Sequence, residues 1–188
     1  MQYFGYGSLV NRDTRPSGEG FAPGIIAGWQ RRWAHRVVGA QAHVGFSVLT
    51  VEPAPAVDIE GVLVPISLTD LPHLDRREKG YERRSLELSC DAESVSVYVS
   101  CNALPASEQY PLLQSYVDCV LAGYLAVFGW DGVARFFATT QGWEAPIIND
   151  RMKPLYPRAV KIDDATQREF DDRIVAARQS AVKNTGRM

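Results

Sequence analysis

The sequence predicts an α+β fold: a curved sheet or small barrel first, helices mostly later. Three observations predict it. Apolar–polar alternation and β-branched runs fill the first hundred residues, and three-to-four spacing of apolar residues becomes sustained only after residue 110. No internal repeat or low-complexity linker divides the chain, and 188 residues are enough for one domain with a real core. Residues 1–188 are therefore read as a single domain, with 163–188 as a C-terminal helical extension.

The first strand is the aromatic opening, Met1-Gln-Tyr-Phe-Gly-Tyr-Gly-Ser-Leu-Val10. Gly5 and Gly7 interrupt it, and glycine at a strand end marks a turn or a close approach to the backbone. This stretch alone leaves two readings open: an ordinary turn, or successive amides around Gly7 and Ser8 forming an anion-binding concavity. Asn11 to Pro23 is polar, rich in Gly, Pro and Arg, and reads as a loop. Gly24 to Val38 reads as a long irregular strand. Phe46 to Glu52 is a cleaner one ended by Pro53-Ala-Pro55, and Ile59 to Ile66 is a separate β-branched strand.

A helix is expected from Ser67 to Lys79, with Ser67 as cap, Asp70 at the capping-box position and Gly80 as the stop. Tyr81 to Ser89 and Ser94 to Cys101 read as paired strands joined by Asp91 to Ser94. Pro111 to Phe128 reads as the main helix. Pro111 falls in its first turn, and Leu112, Leu113, Tyr116, Val117, Val120, Leu121 and Leu125 lie on one face. A short helix, Asp131 to Ala138, follows Gly129. Gln141 to Ala159, carrying Pro146, Pro154 and Pro157, reads as a long ordered surface segment, and such loops often carry function. Asp163 to Lys183 reads as a solvated terminal helix.

Composition narrows the function classes. With 46% hydrophobic and 22% charged residues, a net charge of −2 and dispersed Lys and Arg, the chain shows no nucleic-acid footprint. Cys90, Cys101 and Cys119 lack CxxC spacing, which argues against a disulfide framework or zinc site and fits a reducing, cytoplasmic compartment. His35, His43 and His73 are widely separated and offer little to a metal. No secretory leader and no apolar run of ~20 residues is apparent, so no membrane partner is expected.

The most informative residue is an acid on an apolar face. At 100° per residue, Leu71, Leu74 and Glu78 share one face, Asp75 lies beside them, and His73, Arg76 and Arg77 fall on the far side. Burial and the negative end of the helix both disfavour a charged carboxylate there. A glutamate so placed is suited to general acid–base work. The geometry equally allows a buried pair with Arg31, Arg32, Arg83 or Arg84.

Two stretches together resemble the γ-glutamylcyclotransferase-like superfamily, which includes the ChaC-type and AIG2-like proteins. Tyr6-Gly-Ser-Leu9 resembles its YGS signature, and Leu74-Asp-Arg-Arg-Glu-Lys-Gly-Tyr81 resembles its LDxxEg…Y segment. The resemblance covers roughly the first half of the chain. It implies a small mixed β-barrel flanked by helices, and an enzyme that releases 5-oxoproline from a γ-glutamyl small molecule with no cofactor and no metal. In that reaction the substrate's α-amine attacks its own γ-carbonyl. By resemblance Glu78 is the catalytic acid–base, and Tyr6, Gly7, Ser8 and Leu9 form the substrate loop. Tyr156, in the proline-bracketed segment, is a further substrate-binding candidate. Tyr116 reads as core, Arg158 as a salt-bridge partner or a contact to a substrate carboxylate. Ser8 lacks the histidine partner that a nucleophile needs.

The chain departs from the family pattern in three places. ChaC-type enzymes carry an extra glycine where this chain has Glu78-Lys-Gly-Tyr81, they follow YGSL with a different pair than Val10-Asn11, and the classical cyclotransferase has Asn at the position of Leu9. The γ-glutamyl compound is therefore open. Two other readings stand beside the enzyme: an AIG2-like binding module without turnover, and a biosynthetic enzyme that removes a γ-glutamyl group.

Overall fold

Tyr3 and Phe4, the aromatics of the opening strand, are buried at the middle of a curved mixed sheet. The computed structural model describes residues 1–15, 20–38, 45–86 and 94–185. Its elements are β1 (Gln2–Gly5), β2 (Ala22–Val38), β3 (Gly45–Pro65), α1 (Leu71–Arg77), β4 (Tyr81–Leu86), β5 (Val95–Ser100), β6 (Leu112–Leu113), α2 (Gln114–Ala138), β7 (Thr140–Gln141), β8 (Ile147–Ile148) and α3 (Asp164–Thr185). The strand order is β4-β5-β1-β3-β2-β7, with β6 bridging β3 and β8. β1 runs parallel to β5 and antiparallel to β3. The expected α+β class, with a mixed sheet and flanking helices, is what the chain forms.

The sheet curls so that the chain beyond β5 reaches β2, which is not its neighbour in the strand order. The chain leaving β5 runs along β2: Leu104 N–H donates to Ala34 O (2.8 Å) and Ala106 N–H to Trp33 O (3.1 Å). Ser100 N–H donates to the Thr50 hydroxyl of β3 (2.9 Å). These bonds tie the β5 side of the sheet to β2 and β3 and curl it into a partly closed barrel, with β4, paired with β5, left at an edge among the described residues.

β3 corrects the expectation of two strands. It is one strand through Pro53 and Pro55, because β3 itself bulges there: Pro53 still pairs with Trp29, and four residues, 54–57, stand opposite Gly28 alone. The register jumps from Ala27↔Asp58 to Trp29↔Pro53, with Gly28 (φ 78) at the turn of β2. Residues 54–57 have no register partner on β2, so a proline among them removes no ladder bond.

α1 is shorter than expected. Ser67 does cap the turn before it, its hydroxyl accepting from Asp70 N–H (3.0 Å) and lying 2.6 Å from Asp70 Oδ2. Regular helix then runs from Leu71 to Arg77. Gly80 (φ 92) provides the left-handed residue that turns the chain into β4. β4 and β5 pair antiparallel as expected; residues 87–89 and most of the link that follows lie outside the described residues.

Pro111 opens no helix. It precedes β6, and its carbonyl accepts from Ser47 N–H (2.8 Å), so Leu112 and Leu113 are strand residues. α2 then runs from Gln114 to Ala138 with a kink at Gly129 (φ 66, ψ −170), which matches the expected break into two helices. Among the described residues it is the one helix long and apolar enough to cross a membrane, a stretch the sequence reading did not anticipate. Half of that window is buried inside the fold, and Val117, Val120, Leu121, Tyr124, Val133 and Phe136 pack into the core, the role of a core helix. Arg31, fully buried, ties β2 to this helix: its guanidinium donates to the Thr139 hydroxyl (2.6 Å), the Tyr124 hydroxyl (2.7 Å) and the Glu60 carbonyl.

The segment from Gln141 to Ala159 is mostly irregular, as expected, but it is not confined to the surface. Trp143, Ala145, Asp150 and Tyr156 are buried, and β7 and β8 are short additions to the sheet. α3 is solvated on one side and buries Phe170 and Ile174 on the other, with Phe170 edge-on to Trp130 at 5.7 Å.

Candidate functional site

At the mouth of the barrel, the end of β1 and the end of α1 face one another. β1 stops at Gly5, and a single 3-10 turn, Ser8–Val10, follows. Val10 N–H donates to Gly7 O (3.0 Å) and Asn11 N–H to Ser8 O (3.1 Å), which leaves the earlier amides of Ser8 and Leu9 outside the turn's own bonds. The turn needs glycine at position 7 for closeness rather than for a left-handed backbone. Its φ is −115°, and a Cβ there would sit 3.2 Å from the Tyr116 hydroxyl. At Gly5 a Cβ would meet the Leu9 Cβ at 2.9 Å.

Glu78 caps the C-terminus of α1, its N–H donating to Leu74 O (2.9 Å), with backbone angles (φ −88, ψ 34) already outside the helix. Leu71 and Leu74 are buried, so the apolar stripe does lead to this acid. Its side chain is 17% exposed and pairs with Arg77, Nε to Oε1 3.1 Å. Burial raises the Glu78 carboxyl above the ordinary range; the Arg77 and Arg158 charges oppose this without cancelling it.

None of the four arginines considered from sequence is the partner. Arg31 is in the core, Arg32 pairs with Glu52, Arg83 with Asp75 and Arg84 with Glu82. Nor does Arg77 point to the far side. The helix ends at this residue, and its guanidinium turns back to bond both Glu78 and the Thr14 carbonyl.

A recess of about 30 Å³ is lined by Tyr6, Gly7, Ser8, Leu9 and Glu78, with Phe4, Leu49, Tyr81, Tyr98 and Tyr116. A wider cavity of about 560 Å³ shares Ser8, Glu78, Tyr81 and Tyr116 with it and adds His35, Arg77, Lys79, Tyr156 and Arg158 among its walls. All of the candidate residues named from sequence therefore border one composite site: Glu78, Tyr6, Gly7, Ser8 and Leu9 in the recess, Tyr156 in the outer cavity. The recess holds about one oxygen atom or water, and the outer cavity is the size of a small-molecule site.

Tyrosines build the walls. The Tyr6 hydroxyl donates to Tyr98 O (2.6 Å), the Tyr81 hydroxyl to Leu49 O (2.6 Å), and the Tyr98 hydroxyl to Asp75 Oδ1 (2.6 Å). Burial pushes each phenol well above its ordinary range, so each stays a neutral donor. Tyr116 accepts weakly from Leu49 N–H (3.4 Å) and meets Tyr156 edge-on at 4.9 Å. Tyr156 and Ser8 both line the outer cavity.

Tyr81 and Tyr98 are wall residues that sequence reasoning gave no role, and Tyr116 is one it weighed for the pocket and read as core. Tyr116 in particular is both core and site. His35 stacks on Tyr81 at 3.8 Å, with Nδ1 2.8 Å from the Ser100 hydroxyl, and burial lowers its pKa to about 4, so it is a neutral wall. Among the described residues no cluster of three metal-ligating side chains forms, and His43 and Cys90 lie outside them.

Comparison with known proteins agrees with this architecture. No curated protein sequence matches the chain. Among solved structures, a γ-glutamyl cyclotransferase is similar at a TM-score of 0.59 and 16% identity, covering 93% of this chain and 98% of its own. An uncharacterised human protein is similar at 0.60 and 17%, covering 92% and 96%. YkqA from Bacillus subtilis matches at 0.50 and 17%, covering 76% of this chain and 56% of its own. At such identities the likeness is one of fold. In sequence, the ChaC-like protein family model matches residues 1–117, the span that holds β1, the loop Tyr6–Leu9, Glu78 and the start of α2, and the chain belongs to that family.

Proposed function

We propose that this chain is a γ-glutamyl cyclotransferase that releases 5-oxoproline from a small γ-glutamyl compound, with Glu78 carrying the protons. The observation that bears most on this reading is that one carboxyl group of raised pKa and the loop Tyr6–Leu9 line the same recess. A solved structure of this fold that bears the name γ-glutamyl cyclotransferase lends further support.

The chemistry asks for what these residues can do. The substrate's α-ammonium must lose a proton before it can attack. A shielded carboxylate takes that proton more readily than an exposed one. The neutral amine then adds to the γ-carbonyl carbon, closing a five-membered ring. The tetrahedral intermediate collapses with cleavage of the bond to the leaving nitrogen. Two protons in total pass from the attacking nitrogen to the leaving one through Glu78, whose carboxylate is regenerated. A bent substrate held between loop and tyrosines gains from intramolecular attack, and the one-oxygen recess beside the Ser8 and Leu9 amides suits a developing oxyanion.

The Glu78–Arg77 pair favours one other reading: a binding module in which Glu78 is structural. The test is mass-spectrometric detection of 5-oxoproline from a panel of γ-glutamyl amino acids, γ-glutamyl amines and γ-glutamyl tripeptides. Wild-type chain is expected to release it and Glu78→Gln to lower the rate by at least ~10²-fold, the lower end of general acid–base contributions. Turnover that survives Glu78→Gln removes the assignment. Ligand binding with no 5-oxoproline from either protein favours the module.

A further inference from the structure

The outer cavity has a second polar pole that the proposed ring closure does not use. Arg158 lines that cavity but not the narrow recess, whereas Ser8 and Glu78 border both. Glu78 thus stands between the loop end of the site and the Arg158 end. Arg158 is exposed, and among the described residues no carboxylate lies within ion-pairing distance of it. Of the two roles the sequence leaves open to it, the salt bridge is not formed among the described residues.

The surroundings of Arg158 are built to present it. Pro157 precedes it and Tyr156 beside it is buried. Ala159 N–H closes a turn onto Tyr156 O (3.2 Å). The segment is pinned from below by the buried Asp150 carboxylate, which accepts from Leu155 N–H (2.8 Å) and from the Ser115 amide and hydroxyl.

The other charges facing the cavity are accounted for. Arg77 is engaged by Glu78 and Thr14, and Arg36 by the Pro105 carbonyl (3.2 Å) and the Tyr110 ring. His35 is neutral, Lys79 adds a further cation, and Glu78 is the one acid among the lining residues. A concave mouth with this excess of positive charge concentrates anions.

We propose that Arg158 sets leaving-group specificity by pairing with a carboxylate carried on the amine that departs. The proposal rests on the cyclotransferase reading above. With the glutamyl half at the loop and the scissile bond at Glu78, whatever follows the scissile nitrogen extends toward Arg158. A planar guanidinium on an anchored loop then takes the carboxylate through charge-assisted hydrogen bonds.

The test uses matched substrates that differ only in that charge: γ-glutamylalanine against γ-glutamylalaninamide, and γ-glutamylcysteinylglycine against its C-terminal amide. Wild-type chain is expected to favour a free carboxylate roughly 10- to 100-fold in kcat/KM, as for a hydrogen bond to a charged group. Arg158→Gln should erase that preference, mainly through KM; any effect of the lost charge on Glu78 falls on acid and amide alike and cancels in their ratio. Arg158→Glu should reverse it. Equal losses on acid and amide, or a wild-type enzyme indifferent to the carboxylate, overturn the proposal while leaving the cyclotransferase reading in place. No 5-oxoproline from any of the four with wild-type chain removes the proposal and, together with a silent panel, the reading under it.

Discussion

Glu78 sits one residue beyond the last helical residue of α1, where burial opposes its charge and Arg77 supports it. The proposed mechanism needs the ionised form, so kcat/KM should rise with pH along a limb whose inflection lies above the ordinary glutamate value of ~4.3. Arg77→Met removes the nearest cation and should move that limb to higher pH; a limb that stays in place would mean Glu78 is not the titrating base. Stability carries the opposite sign. With the folded pKa raised, the stabilising contribution is full below ~4.3 and lost as pH rises through the folded value. Glu78→Gln should therefore melt higher than wild type at pH 8 and level with it near pH 4. Glu78 stood out as an acid on an apolar stripe, while Tyr6–Leu9 stood out through their resemblance to a family signature, since glycines at a strand end alone leave an ordinary turn open. Tyr81, Tyr98 and Tyr116 were not legible as walls, because each breaks no local rule: a buried ring whose hydroxyl meets a distant backbone or acid group reads as core until the chain is folded. Arg77 was misplaced for a different reason. Helical angles were carried past the residue where the helix stops.

Among the elements, α2 begins without a side-chain cap of its own, since Leu113 at the cap position offers no acceptor. Asp150 supplies it from 35 residues away, receiving Ser115 N–H at 2.8 Å and the Ser115 hydroxyl at 2.6 Å. Asp150→Ala takes the acceptor away from these buried donors and from Leu155 N–H. It should cost about 3 kcal/mol in urea unfolding, at ~1 kcal/mol or more for each orphaned donor. It should also raise KM, because the same carboxylate holds the segment bearing Tyr156 and Arg158. A loss under ~1 kcal/mol would show that water replaces the cap. Elements were legible where the signal is local: the Ser67 turn, the Gly80 stop, the break at Gly129, the β4–β5 pair. They were misread where a partner strand decides. Pro53 and Pro55 end a strand unless the strand bulges at them, and only the register with β2 shows that residues 54–57 do so. Pro111 suits a helix start in isolation, yet Ser47 claims its carbonyl and draws Leu112 and Leu113 into the sheet.

Across the whole molecule, the site and the C-terminal helix occupy different regions. Among the described residues none from α3 lines the recess or the outer cavity, while α3 residues such as Arg173 and Ala177 flank a separate groove of about 440 Å³ beside Phe137 and Trp143. α3 is attached through Phe170 and Ile174 and through Arg151, which binds Asp118 of α2 and Asp171 of α3 together (2.7 and 2.8 Å). A chain ending at Ile162 forfeits the burial of those two side chains, about 4 kcal/mol at the usual worth of a buried Phe and Ile. The Arg151–Asp118 pair, whose Asp is nearly inaccessible, survives the cut, so no buried charge is stranded and the barrel is expected to stay folded. The truncated protein should therefore melt lower by thermal circular dichroism, yet release 5-oxoproline with KM within about twofold of the full chain, since no substrate-facing contact has gone. A truncated chain that fails to fold would make residues 163–188 part of the core rather than an extension of it. One that folds but loses KM would mean that α3 holds the Tyr156–Arg158 segment in place through Arg151, the residue that follows Asp150 in the chain.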